Sequence, residues 1–183
     1  YTGEDTLSLH DALPIWPRDI RWFGVPRLYF GNAWLLKDAC DGERCLPKSQ
    51  VRYGIEGFLS PVGFADIFGR IGGATSFYDN GPTQTGMDAR VGVRLHLLGI
   101  VAASVAYAVQ TASYDFAAEG EVKHKTTAHH GLAFGAEGTL RGATVTVAAD
   151  LLWANSIDAL GQGWLGFQPM GVVSLLTPPM WGF

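Results

Sequence analysis

Four residues in the second half of the chain are of the types that catalyse hydrolysis: His129, His130, Asp150 and Ser156. A histidine held beside a serine or a carboxylate can activate a nucleophile, which is the chemistry of lipid hydrolases, acyltransferases and proteases. Nothing in their spacing requires the fold to bring them together. We therefore predict no catalytic residues and keep an enzyme at the rim of the fold as an alternative.

A larger set of charged residues recurs at every second position of short segments. In residues 88–97, Arg90, Arg94 and His96 alternate with apolar residues such as Val91. Successive side chains of a β-strand face opposite sides, so these charges share one face. Charges that line a closed interior must pair or be hydrated. We predict an interior polar network made of Arg52, Glu56, Asp66, Arg70, Arg90, Arg94, Glu137 and Asp150. A small or gated ion path through the network is the alternative.

The two cysteines, Cys40 and Cys45, lie in one polar connection. Their spacing predicts a loop disulfide, which requires an oxidising compartment. A metal site needs more ligands than these two. His124, His129 and His130 lie in another connection, where no neighbouring carboxylate or thiol pattern completes a site. We predict no metal and no cofactor.

The distribution of charge indicates which partners the chain meets. The net charge is −4, which gives no basic footprint for nucleic acid. All four lysines fall in predicted connections: Lys37, Lys48, Lys123 and Lys125. A water-soluble sheet protein carries lysine along the solvent faces of its strands, whereas these strands carry none. The longest apolar run, residues 97–109, is shorter than the roughly 20 residues of a spanning helix.

The alternation predicts eight strands joined by connections that are alternately long and short. The strands are residues 27–36, 51–59, 64–78, 88–98, 100–112, 130–140, 143–153 and 164–176. Residues 141–142 suit a two-residue hairpin turn, and residues 113–129 form the longest predicted loop. The alternation does not assign the faces of the last strand. An even number of strands near ten residues long, with long loops at one end, predicts an all-β, antiparallel, up-and-down transmembrane β-barrel.

Aromatic residues fall at both ends of the predicted strands. Those beside the long loops are Trp34, Tyr53, Phe77, Tyr78, Tyr114, Trp153 and Trp164; those at the other end are Phe58, Phe64, Trp181 and Phe183. Two aromatic belts separated by aliphatic residues are typical of the two interfaces of a bilayer. The alternating apolar face is therefore predicted to meet lipid.

On these residues the chain resembles the small, eight-stranded outer-membrane β-barrels of Gram-negative bacteria. The ending, with Trp181 and Phe183, is similar to the signal that such barrels present to the barrel-assembly machinery. The resemblance implies a porin-like protein of the bacterial outer membrane. It also implies contact with outer-membrane lipid and a structural or surface-interacting role for the long extracellular loops. Pro178 and Pro179 depart from a continuous last strand, so a larger barrel stays open. A soluble, lipocalin-like barrel that binds a hydrophobic ligand is a further alternative.

The first fifteen residues look unlike the rest of the chain. Residues 6–15 resemble one translated frame of a common sequencing adapter. We expect residues 1–15 to be a non-native segment and exclude them from the fold. We expect residues 16–183 to form a single β-barrel domain with a truncated N-terminus.

Overall fold

The computed structural model describes residues 26–36, 40–41, 44–45, 48–77, 83–98, 100–118, 121–141, 143–154, 167–178 and 180. The predicted non-native segment, Ser156, Trp164, Trp181 and Phe183 all lie outside these residues. Among the described residues, no helix is long and apolar enough to span a membrane.

The described residues form a closed, antiparallel β-barrel of eight strands and one small hairpin. The strands are β1 (Arg27–Leu35), β2 (Cys40–Asp41), β3 (Arg44–Cys45), β4 (Ser49–Val62), β5 (Ala65–Phe77), β6 (Gln84–Leu98), β7 (Val101–Ala118), β8 (Glu121–Leu140), β9 (Ala143–Ala154) and β10 (Phe167–Leu176). β2 and β3 pair only with each other, and the other eight form the barrel in the order β1-β10-β9-β8-β7-β6-β5-β4. The predicted fold class is confirmed. Because β1 pairs with both β4 and β10, the barrel closes with eight strands, which excludes the larger barrel.

The seam between the first and last barrel strands closes at Thr177. The backbone N–H of Thr177 donates to the carbonyl oxygen of Leu28 at 2.9 Å, and the Thr177 hydroxyl accepts from the N–H of Leu28 at 3.0 Å. The guanidinium of Arg27 donates to the Thr177 carbonyl oxygen at 3.0 Å. Pro178 follows the last strand, so its lack of an N–H donor does not affect the pairing of β1 with β10.

The predicted loop over residues 113–129 is wrong, because β7 and β8 continue through most of it. Their pairing extends from Gln110 and His129 to Ala118 and Glu121. β6 and β9 stop pairing with them near Gln110 and His129, so the extension is a two-stranded ribbon above the barrel. Polar residues in this segment suggested a loop. The backbone N–H and C=O groups of polar residues can also pair in a two-stranded ribbon, which needs no apolar face.

The turn between β8 and β9 has the predicted two-residue length. Arg141 adopts a φ of 51°. Two-residue hairpin turns of type I′ require positive φ, because that twist matches the twist of the flanking strands. The register across the turn places Thr139 opposite Thr144 and Glu137 opposite Thr146.

The faces of β10 become clear only in the folded chain. Gln168, Met170, Val172, Ser174 and Leu176 are buried inside the barrel, whereas Val173 and Leu175 are exposed on the outside. Apolar residues occupy both faces of this strand, so the alternation rule could not separate them.

Most described aromatic residues of the predicted belts face outward. Trp34, Tyr53, Phe77 and Trp153 are exposed towards the long connections, and Phe64 is exposed at the opposite end. Phe58 is the exception, because it packs inside the barrel against the cluster that contains Phe68. Phe58 lies an even number of residues after Arg52 and Glu56 on the same strand, so its side chain points inward as theirs do. The assignment of Phe58 to a belt is therefore wrong.

Candidate functional site: a charged barrel interior

The outer wall of the barrel is apolar. Wherever the structure describes side chains on the barrel strands, no outward-facing position holds Asp, Glu, Lys or Arg. On β6 the outward residues are Thr85, Met87, Ala89, Val91, Val93, Leu95 and Leu97. A water-soluble barrel with an apolar cavity has the reverse arrangement, so the structure does not support the lipocalin-like alternative.

The inner wall carries the charge. Among the described residues, five arginines and five carboxylates are buried inside the barrel, so their formal charges cancel. They are Arg27, Arg52, Arg70, Arg90, Arg94, Glu56, Asp66, Asp88, Glu137 and Asp150. Eight of these ten were predicted from the sequence. Two were not: Asp88, which precedes Arg90 by two positions, and Arg27, which precedes the buried Tyr29 by two. Strand parity alone could have found both.

The charges divide into two clusters, and the turn-end cluster has Glu56 at its centre. Its carboxylate accepts from Arg70 Nε at 2.6 Å and from Arg94 Nη2 at 2.9 and 3.1 Å. Arg27 Nη1 lies 3.9 Å from the same carboxylate. Arg94 also donates from Nε to Glu137 at 2.6 Å. One carboxylate is thus bound by arginines from two neighbouring strands.

Asp66 forms the side of this cluster nearest the short turns. Its carboxylate accepts from the Ser60 hydroxyl at 2.6 Å and lies 3.5 Å from Arg94 Nη1. His96 Nε2 is 2.9 Å from the other carboxylate oxygen. Three arginines face three carboxylates in the turn-end cluster (Arg27, Arg70, Arg94, Glu56, Asp66 and Glu137), which is therefore neutral when His96 is uncharged.

The loop-end cluster consists of Arg52, Arg90, Asp88 and Asp150. Arg90 binds Asp150 through two parallel hydrogen bonds, from Nη1 at 3.0 Å and from Nη2 at 2.7 Å. Arg52 donates from Nη1 to the same carboxylate, and Arg90 Nε lies 3.3 Å from Asp88. Two-point binding of a carboxylate by a guanidinium fixes both orientation and distance. This cluster also contains equal numbers of positive and negative groups.

Amide side chains complete the loop-end cluster. Gln110 Nε2 donates to Asp88 Oδ1 at 3.0 Å. Gln50 accepts from Arg52 through its oxygen at 2.9 and 3.1 Å and donates through its nitrogen to Ser76 at 3.1 Å. Because buried charges are costly without partners, these neutral groups lower the cost of keeping the cluster in the interior.

Two aromatic rings lie against the arginines of the interior. The Tyr29 hydroxyl donates to Asp88 Oδ2 at 3.0 Å, and Arg70 lies 5.7 Å from the centre of the Tyr29 ring. The Phe68 ring has Arg70 at 5.2 Å and Arg94 at 4.8 Å. A cation over an aromatic face is attracted by the ring. Tyr29 is therefore a direct link from the loop-end cluster to a turn-end arginine.

The two sides of the inner wall differ in side-chain size. Seven of the ten charged residues come from β4, β5 and β6, which we call the charged wall. The inward positions of β7, β8, β9 and β10 form what we call the small wall, where β7, β8 and β9 carry mainly Ala, Gly, Ser and Thr and β10 carries Gln, Met, Val, Ser and Leu. An interior enclosed by eight strands is only wide enough to be filled by side chains. Small residues opposite leave space for the long arginines.

Among the described residues, the candidate hydrolytic residues His129, His130 and Asp150 do not come together. Asp150 binds two arginines, and its register partner is Ala133, four positions from His129. His129 is buried inside the barrel, whereas His130 faces outward with its Nδ1 2.7 Å from the Tyr107 hydroxyl. Ser156 lies outside the described residues. No group of three or more potential metal ligands occurs in the part of the chain that the structure describes.

The backbone of the β2–β3 hairpin places Cys40 directly opposite Cys45. Opposed positions in an antiparallel pair are close enough for a disulfide in favourable orientations. The disulfide itself stays a prediction.

Neither a family model nor a curated protein sequence matches this chain. Solved structures do. Ail, the attachment invasion locus protein of Yersinia pestis, has 9% sequence identity and a TM-score of 0.57, covering 84% of this chain and 95% of that chain. Ail in complex with the heparin analogue sucrose octasulfate has 9% sequence identity and a TM-score of 0.52, covering 84% of this chain and 96% of that chain. The N-terminal β-barrel domain of Pseudomonas aeruginosa OprF has 6% sequence identity and a TM-score of 0.49, covering 84% of this chain and 96% of that chain. At this identity the likeness to Ail shows the fold: an eight-stranded, closed, antiparallel β-barrel.

Proposed function

We propose that this chain is an integral β-barrel protein of a bacterial outer membrane. One observation carries the proposal: wherever side chains are described, the outward positions of the barrel strands hold no Asp, Glu, Lys or Arg, while ten charged side chains pair inside. Lipid offers no partner for charges or for backbone groups, so a spanning barrel must satisfy both internally. The exposed aromatic side chains at the two ends, such as Trp34 and Phe64, suit the bilayer interfaces.

The interior supports a structural role rather than conduction. The two neutral clusters and the rings of Tyr29 and Phe68 fill the lumen beside the charged wall, at its loop end and at its turn end. An eight-stranded barrel has little additional space. Contact with the surroundings then falls to the long connections and to the β7–β8 ribbon, as in a surface-interacting protein. Ail, the structural neighbour, is described as an attachment protein and has been seen with a heparin analogue; we extend only the surface-interacting class to this chain.

Two partners follow from an outer-membrane location. The first is outer-membrane lipid, in contact with the apolar outer wall. The second is the barrel-assembly machinery, which we propose binds the C-terminal segment through Trp181 and Phe183. Replacing both residues with alanine is expected to reduce the amount of folded barrel in the outer membrane while leaving the purified chain able to refold in detergent. Equal amounts of wild-type and variant barrel in the membrane would contradict this partner.

Gel mobility tests the proposed location. The chain is expected to co-purify with outer membranes and, after extraction, to migrate differently before and after heating, because a folded barrel resists unfolding by the gel detergent. A chain that folds in water without detergent would exclude the membrane proposal. In planar lipid bilayers we expect no stable conductance from the folded protein; regular single-channel steps would support the ion-path alternative instead.

A further inference from the structure

Four buried polar atoms in the turn-end half make no hydrogen bond among the described residues: Arg70 Nη2, Glu137 Oε1, Thr146 Oγ1 and Ser174 Oγ. Each of the four residues is more than nine-tenths buried. Leaving a buried polar atom without a partner costs about as much as losing a hydrogen bond, so native proteins rarely do so. Four such atoms in one region require an explanation.

The residues that carry these four atoms are neighbours in the barrel. Glu137 on β8 is opposite Thr146 on β9, and Thr146 is opposite Ser174 on β10. All three side chains are buried inside the barrel. Arg70 reaches the same place from the charged wall, with Nη2 3.7 Å from Glu137 Oε1, a distance beyond hydrogen-bonding range. The unmatched atoms therefore form one site across the small wall.

Glycines border this site on both sides. Gly31 on β1 is opposite Ser174, and Gly135 on β8 lies beside Thr146, where an added Cβ would come within 3.3 Å of Thr146 Cγ2. Neither glycine carries a side chain that could bond the two hydroxyls. The glycines therefore offer the two hydroxyls no partner, and no hydrogen bond joins Thr146 to Ser174 although they are opposite in register.

The donor and acceptor types restrict what that ligand can be. Arg70 only donates, Glu137 only accepts, and the Thr146 and Ser174 hydroxyls do both. A cation could not accept from the guanidinium, and an anion could not donate to the carboxylate. Either ion would also add uncompensated charge to a cluster that is already neutral. Water both donates and accepts and carries no charge, and buried waters typically serve such unmatched groups.

We propose that Arg70, Glu137, Thr146 and Ser174 form a binding site for buried water inside the barrel. Bound water joins Arg70 to Glu137 and so completes the turn-end cluster. The row of hydroxyls continues towards the short turns, where Thr139 and Thr144 lie 3.0 Å apart and Thr139 is only half-buried. This row is the path along which we expect the bound water to exchange.

Replacing Thr146 with valine tests the site, because valine keeps the shape of threonine and removes only the hydroxyl. If the hydroxyl binds water within the network, Thr146→Val raises the equilibrium constant for unfolding of the detergent-folded chain about fivefold, as loss of one hydrogen bond does. If the hydroxyl is bare, removing it relieves a penalty. An unfolding constant that stays the same or falls therefore overturns the proposal.

Thr75→Val is the matched control. Thr75 is half-buried on the outer wall, and the same change there is expected to leave the unfolding constant unchanged or lower. A crystal structure that resolves waters provides a second readout independent of stability. We expect a density peak within hydrogen-bonding distance of both Glu137 Oε1 and Thr146 Oγ1. A direct hydrogen bond between Thr146 and Ser174, with no peak beside Glu137, would overturn the proposal.

Discussion

The charged wall and the small wall line the same lumen with different kinds of side chains. β4, β5 and β6 contribute seven of the ten buried charges, whereas β7 and β10 contribute none. The charged wall supplies four arginines and three carboxylates, and the small wall adds only Glu137 and Asp150 among its smaller side chains. The filling of this barrel therefore depends mainly on charge on one side and on side-chain volume on the other. The two walls should therefore respond to different kinds of substitution.

The largest effect is expected from removing a charge on the charged wall. Arg94→Gln leaves Glu56, Glu137 and Asp66 short of one positive partner, because Arg94 contacts all three. Breaking a buried pair in this way costs about 3–5 kcal/mol. Equilibrium unfolding in urea, with the chain folded in detergent or vesicles, measures the loss.

Arg141→Gln is the control for that change. Arg141 is exposed in the β8–β9 turn, where the same substitution is expected to change stability by less than about 0.5 kcal/mol. Equal losses at Arg94 and Arg141 would show that the interior pairs contribute nothing specific.

The next effect is expected from adding volume to the small wall. Ala106 is buried inside the barrel on β7, and Ala106→Leu forces extra atoms into a filled interior at a cost of about 1–3 kcal/mol. Ala103→Leu places the same atoms on the outer face of the same strand, where lipid accommodates them. Unfolding of both variants in the same detergent compares the two faces. A larger loss for Ala103→Leu would reverse the assignment of inside and outside.

A smaller effect is expected at the link between the clusters. Tyr29→Phe keeps the ring beneath Arg70 but removes the hydroxyl that donates to Asp88. A hydrogen bond to a charged group contributes about 1.5 kcal/mol or slightly more. Unfolding should show a loss of this size. A double-mutant cycle with Asp88→Asn should show coupling between the two positions, and strict additivity would mean that the two side chains do not interact.

The smallest effect is expected from salt. Buried ion pairs are screened much less than exposed ones, because mobile ions do not reach them. Raising the salt concentration tenfold should leave the stability of the wild-type barrel and the difference between Arg94→Gln and wild type nearly unchanged. A steep loss of stability with salt would indicate that the clusters are open to the solvent.

Much of this arrangement could be predicted from the sequence. Period-two patterning identified the eight barrel strands and put the eight predicted charged residues on one face, since each strand position fixes a face. Strands without lysine and the two aromatic belts then predicted that the other face meets lipid. It did not assign β10, because Met170, Val172 and Leu176 are apolar residues that face inward. It also ended β7 and β8 too early, because polar side chains alone do not distinguish a loop from a paired ribbon.

The partition of the charges into two neutral clusters could not be predicted. It depends on how far arginine side chains reach across the lumen. Arg94 is paired in register with Asp66, yet its guanidinium also binds Glu56 and Glu137 on other strands. The strand register identifies which residues are neighbours on adjacent strands. Contacts across the lumen also depend on how the sheet curves to close the barrel.

Spin labels along β7 can show whether the apolar face of the strands meets lipid. In a Cys40→Ser, Cys45→Ser background, single cysteines at Ala102, Ala103, Ser104 and Val105 would carry a nitroxide in the vesicle-inserted barrel. Positions 103 and 105 face outward, so their labels should collide often with oxygen dissolved in the bilayer and rarely with a water-soluble nickel complex. Labels at 102 and 104 should collide rarely with either. Frequent nickel collisions at 103 and 105 would contradict the claim.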